Sequence, residues 1–221
     1  MMTFADELRN ALETEPVLDS DHQERVPKKR APVDKAGDDV RVFERDEPEA
    51  LEAVLALNTE KEVWASDVWQ DIVSVRHDHP DQTEQRAAWL ALDDAAKFAY
   101  HVQQKAPDAP NAAWWIGYRG GRPAHARLLD RSVGPQEVWV QWVVGSQVFT
   151  QGSHSLVEAL WDIGVRRVCF KSLMTHPLLN KWERDERFQV RPSEVWERHH
   201  PGHYAVVSFD MPDRPDFKGA Y

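Results

Sequence analysis

The chain has 221 residues, 42% of them hydrophobic and 10% aromatic, including ten tryptophans, enough to build one domain with a sizeable core. A formal net charge of -10 argues against a nucleic-acid or membrane partner, because phosphates repel an acidic surface. Cys169 is the single cysteine, so no internal disulfide can form, and the chain suits a reducing compartment. No apolar run reaches the ~18 residues that a spanning helix needs, and the charged first twenty residues lack a signal-peptide core. A soluble cytoplasmic protein, or part of an assembly made inside a cell, is expected.

Residues 1–38 read as a flexible N-terminal arm. Phe4, Leu8, Ala11 and Leu12 share a face over one short amphipathic helix. The charged, proline-punctuated stretch that follows buries too little apolar surface to offset the entropy of ordering. Such an arm could dock on a protein partner. The domain proper is expected over residues 39–221. Val40–Glu44 alternates as a strand, and Asp46-Glu47-Pro48 opens a helix over Glu49–Asn58. Trp64, Val68, Trp69, Ile72 and Val73 form a second helical stripe, and Glu84–Val102 predicts a long third helix. Ala112–Tyr118 reads as a strand, Gly120-Gly121 as a tight turn, and Pro123–Leu129 as the returning strand. Val138–Val144 is a strand, Ser155–Asp162 a helix, Val168–Leu173 a strand and Leu178–Asp185 a short helix. Phe188–Val190 and Tyr204–Phe209 close the chain as a hairpin with a long loop.

The most informative stretch is Val138–Leu173. It is a strand, a polar loop around Gly152, a helix ending at Gly164, and a second strand. A loop that enters a helix N-terminus points several N–H groups at one spot with the positive helix end behind them. That suits a phosphate or pyrophosphate.

Over residues 39–210 this order, with that loop at its centre, resembles the GNAT superfamily of N-acetyltransferases. The resemblance implies an α+β fold, a mixed, mostly antiparallel sheet with helices on both faces. It also implies acetyl-CoA as co-substrate, bound through its pyrophosphate by the loop after the fourth strand, while that strand splays from its neighbour to hold the pantetheine arm. The cofactor-binding residues so implied are Val143, Val144, Gln151, Gly152, Ser153, His154 and Ser155. The family loop, Arg/Gln-x-x-Gly-x-Gly/Ala, is matched at Gly152. Phe149 stands at its leading position and His154 at its last. The family's closing helix often carries a tyrosine that protonates the leaving thiolate. Trp182-Glu183-Arg184-Asp185-Glu186-Arg187-Phe188 lies there, with Glu183 at the tyrosine position.

The implied chemistry is direct attack of an amine on the thioester. A base takes the ammonium proton and a main-chain N–H steadies the oxyanion. Glu137, Trp139, Gln141 and Val143 share one face by strand alternation. Glu137 is the candidate base, Gln141 the candidate orienting residue and Glu183 the candidate acid. The acceptor would be an amine on a small molecule or a protein, met by residues 59–83 and 191–203.

Other constellations carry less. His77-Asp78-His79 and the histidines at 199, 200 and 203 lack convergent ligand spacing, so no metal is expected. The glycines at 120 and 121 lie between strands rather than before a helix. Ser153 and Ser155 lack a nucleophile elbow. The alternative function is a catalytically inactive GNAT-fold structural or assembly protein. Some short-tailed phages encode degenerate relatives of that kind as virion components.

Overall fold

The computed structural model describes residues 2–13, 39–57, 91–145, 154–173, 178–192 and 204–211. The elements in chain order are α1 (Phe4–Glu13), β1 (Asp39–Glu44), α2 (Pro48–Leu57), α3 (Asp94–Lys105), a 3-10 turn (Ala109–Asn111), β2 (Ala112–Arg119), β3 (Arg122–Gly134), β4 (Glu137–Gly145), α4 (His154–Asp162), β5 (Arg167–Leu173), α5 (Leu179–Arg184), β6 (Phe188–Pro192) and β7 (Tyr204–Asp210). Among the described residues seven strands form one sheet in the order β1-β2-β3-β4-β5-β7-β6. All neighbours are antiparallel except β4 and β5. This is the α+β mixed sheet that the resemblance implied.

Each face of the sheet buries its own core. On one face α1, α4 and α5 cover Val42, Trp115, Leu129, Val140 and Phe170. On the other, α2 and α3 cover Trp114, Ile116, Ala126 and Leu128. Trp114 and Trp115 are both fully buried, one in each core, as alternation along a strand demands. Burying large side chains on both faces of β2 makes that strand the centre of the fold, and every β2 residue but Arg119 is buried.

Local chemistry sets the element ends. Gly120 and Gly121 have φ of 57° and 76°, the left-handed values a two-residue hairpin turn requires between β2 and β3. At the end of α4, Gly164 takes φ of 90°, and the Val165 N–H donates to the Leu160 carbonyl at 2.9 Å. That closes the helix in a Schellman turn. The next two N–H groups, of Arg166 and Arg167, both donate to the Gln136 carbonyl, at 2.8 and 3.0 Å. The start of β5 is thereby clamped to the start of β4.

Three expectations are corrected. The helix expected over Glu84–Val102 is broken at Leu92 and Asp93, after helical Ala91; Asp93 caps a helix that runs on to Lys105, its carboxylate accepting from the Ala96 N–H at 2.7 Å, and residues 84–90 lie outside the described residues. Asp93 competes for the backbone in the way that favours caps over helix interiors. The returning strand β3 extends to Gly134, well past Leu129. Residues 4–13 of the expected arm form the predicted amphipathic helix, but Phe4, Ala5 and Leu8 are buried in the first core. The helical stripe at 64–73 and residues 14–38 lie outside the described residues.

Candidate active site

Strands β4 and β5 pair in parallel only from Glu137↔Arg167 to Val140↔Phe170. Beyond that row β4 continues to Gly145 against β3 alone, and β5 continues to Leu173 against β7 alone. Two strands that start clamped together therefore separate towards their C-terminal ends, and a wedge opens between them. Along it the β4 main chain lacks a ladder partner on the β5 side among the described residues. Main-chain N–H and C=O groups in that state offer hydrogen bonds to an extended ligand.

The separation coincides with a β-bulge. Leu128 pairs with Trp142 and Leu129 with Val140, which leaves Gln141 as the extra residue of β4. The insertion reverses the alternation. Val138, Val140 and Val143 face the first core, whereas Trp142 and Val144 face the second. The expectation that Val143 shares a face with Glu137, Trp139 and Gln141 is corrected for that reason. Periodicity read from sequence assumes an unbroken count of two.

Glu137 is half-buried at the start of β4 and accepts from the Trp139 indole N–H at 2.7 Å. Opposite it on β5, Arg167 donates to Asp210 at 2.6 Å. That hydrogen bond raises Arg167 above the usual guanidinium value and lowers Asp210 below the usual carboxylate value. Two rows on, Trp139 pairs with Cys169, whose thiol is pushed up to about 12 by burial and, second, by the Glu137 charge. A thiol held protonated in this way is no nucleophile.

Gln141 is half-buried, and its carboxamide donates to Asp130 on β3 at 3.2 Å. Sequence reasoning missed Asp130. An acid placed directly after Leu128 and Leu129 on a strand was the available signal. Also missed was the aromatic cluster past the bulge. Trp142 is half-buried, 5.5 Å from Phe98 and 4.8 Å from His101, the latter edge-on.

Of the cofactor-binding candidates, Val143 and Val144 lie on the separated part of β4. His154 is the first residue of α4. Ser155 is half-buried in its first turn, and its hydroxyl oxygen is buried without a hydrogen-bond partner among the described residues. Gln151, Gly152 and Ser153 lie outside the described residues, as do residues 77–79 and 199–203. Glu183 is exposed on α5, beside the buried Trp182, which packs edge-on against Phe170 at 5.1 Å. It thus sits on the helix that covers the face opposite Glu137. Among the described residues no helix is long and apolar enough to cross a membrane.

No protein-family model matches the chain, and no curated protein matches it either. Solved structures similar to it include an aminoglycoside 6'-acetyltransferase type Ii, at 11% identity over 80% of this chain and 99% of that one, with a TM-score of 0.46. A GNAT-family acetyltransferase from Streptococcus pneumoniae matches at 12% identity over 78% and 99%, with a TM-score of 0.40. An acetyltransferase from Bacillus subtilis in complex with CoA matches at 12% identity over 46% and 78%, with a TM-score of 0.35. Likenesses at these values say nothing about chemistry. It is the strand order of this chain, the parallel pairing of β4 with β5 and the wedge between them that make the fold GNAT-like.

Proposed function

We propose that the chain is an N-acetyltransferase that moves an acetyl group from acetyl-CoA to an amine by direct attack. The observation that supports this best is the wedge between β4 and β5, opening at the bulge of Gln141. An extended pantetheine arm is a strand-like ligand, and an unpaired strand flank is what it hydrogen-bonds. The unpartnered Ser155 hydroxyl in the first turn of α4 fits an anionic group at that helix end.

The main chain at Val143 and Val144 would hold the arm, and Gln151, Gly152, Ser153, His154 and Ser155 the pyrophosphate. Acetyl-CoA supplies an activated acetyl thioester. The residues of this chain do the rest. A main-chain N–H at the bulge donates to the carbonyl oxygen as charge develops on it. Glu137, four residues before the bulge, takes through water the proton that the amine must lose to attack, and Gln141 orients the amine. Glu183 returns a proton to the leaving sulfur. The acceptor is an amine on a small molecule or a protein.

Isothermal calorimetry of acetyl-CoA against the purified protein tests the reading. Micromolar binding that Gly152→Trp abolishes is expected, as is acetylation of at least one amine among ethanolamine, spermidine and a lysine peptide. With Glu137→Gln, turnover of that amine should fall about a hundredfold, with coenzyme affinity unchanged. No binding at millimolar acetyl-CoA would overturn the reading and leave a non-catalytic role for the same fold.

A further inference from the structure

We propose that Asp130 on β3 is a positioning residue that sets the bulge of β4 and so aims the β4 main chain into the wedge. The inference rests on the acetyltransferase reading for its kinetic consequence, though not for its structural one. Asp130 is 4% exposed, on the face where its neighbours Ala112 and Leu128 pack in the second core. A carboxylate there carries a desolvation cost that an apolar residue would avoid. Two hydrogen bonds offset it. One oxygen accepts from the Ser132 N–H at 2.9 Å, the other from the Gln141 carboxamide at 3.2 Å.

Both donors lie where the β3–β4 ladder departs from regularity. Gln141 is the extra residue of β4, between the Leu128↔Trp142 and Leu129↔Val140 pairs. Ser132 is the middle of three β3 residues that lie between the Asp130↔Trp139 and Gly134↔Glu137 pairs, where β4 has only Val138. A regular ladder would call on neither donor. The buried carboxylate therefore ties together two irregularities on adjacent strands, and one of them marks the row where β5 departs. A bulge residue has no ladder partner of its own on the adjacent strand, so a contact through its side chain is an added restraint on the backbone there. Here that contact is with Asp130. The same tie fixes the reversed alternation, which sends Trp142 to one core and Val143 to the other.

Asp130→Asn and Gln141→Leu, alone and combined, test this in the full chain. An asparagine puts an NH2 donor where one of the two carboxylate oxygens stood, so either Ser132 or Gln141 then faces a donor instead of an acceptor. Amide hydrogen exchange is expected to speed up across residues 141–145 in both single variants, at least tenfold. Exchange there unchanged in Asp130→Asn would overturn the proposal, whether or not the protein binds acetyl-CoA. With acetyl-CoA and the best amine of the panel, kcat should fall about tenfold to a hundredfold and the coenzyme Kd should rise, because the loosened main chain includes Val143 and Val144. The double variant should lose no more than the worse single one, as residues acting through one contact do. Losses that multiply, or a lowered melting temperature with kcat intact, would reduce Asp130 to a structural residue. Absence of acetyl-CoA binding by the unmodified protein would instead count against the acetyltransferase reading, with the exchange result still standing.

Discussion

A single glycine carries an unusual load in β2. Gly117 pairs with His125 on β3, and a Cβ added at Gly117 would lie 2.2 Å from the His125 Nε2. The imidazole cannot swing away without cost. It is 2% exposed, and its Nδ1 lies 3.1 Å from the guanidinium of Arg127, itself 1% exposed. Because arginine only donates, that contact makes Nδ1 the acceptor and leaves the proton on Nε2, directly over Gly117. Gly117→Ala is therefore expected to destabilise the protein by about 1–3 kcal/mol, the cost of overpacking a filled core. Urea unfolding measures it. A midpoint unchanged by the substitution would mean that the histidine has room to move.

His101 gives a pH dependence with a definite sign. Burial, helped by the charge of Lys105, lowers it from 6.5 to about 4. Its Nδ1 is buried without a hydrogen-bond partner among the described residues, and its ring stands edge-on to Trp142. The native state thus holds the ring neutral, and above pH 6.5 the unfolded chain does the same. As pH falls from about 6.5 to 4 the unfolded chain takes up a proton that the native state refuses, so stability declines through that window. The loss from this group amounts to about 3 kcal/mol at most. It levels off below pH 4, where the native ring protonates too. Denaturant melts from pH 7 to pH 4 should show that decline, and His101→Leu should remove this component of it.

At the scale of elements, α1 shows how a weak sequence signal becomes a structural part. Its first turn is capped reciprocally. The Asp6 N–H donates to the Thr3 hydroxyl at 3.2 Å, and the Thr3 N–H donates to the Asp6 carboxylate at 3.0 Å. That second bond is the main reason the Asp6 carboxyl lies below its usual value. Glu7 grips Arg131 on β3 through both oxygens, at 2.5 and 2.8 Å, and Arg131 stacks over Phe4 at 4.7 Å. Arg9 donates to the Val42 carbonyl at 2.9 Å and to Glu47 at 3.0 Å. A helix held at so many points belongs to the core it covers. Leu8→Ala is expected to cost about 2–5 kcal/mol by thermal or urea unfolding, as for other core leucines. A cost below about 0.5 kcal/mol would return α1 to the status of a loose tether.

At the scale of the whole molecule, one sheet is loaded from both sides and opened along one seam. The seam follows from topology. A parallel pair needs a crossover, here through α4, and its two strands pair outward with β3 on one side and β7 on the other. The clamp at the Gln136 carbonyl holds one end only.

Element types and their order were legible in the sequence because they rest on short-range periodicity and on turn chemistry, such as the two glycines at 120 and 121 and the glycine at 164. The strand–loop–helix–strand unit, the implied GNAT-like architecture and the face shared by Glu137, Trp139 and Gln141 followed from the same local rules. Contacts between residues far apart in the chain were not legible. No local pattern shows that Glu7 meets Arg131, that Asp130 meets Gln141, or that β4 and β5 part after Val140 and Phe170. The chain by itself determined which segments become strands and helices, since each segment carries its own propensity and pattern. The tertiary structure alone decided where the ladder slips by one residue, because a bulge depends on the register between two strands and on the buried carboxylate that holds it.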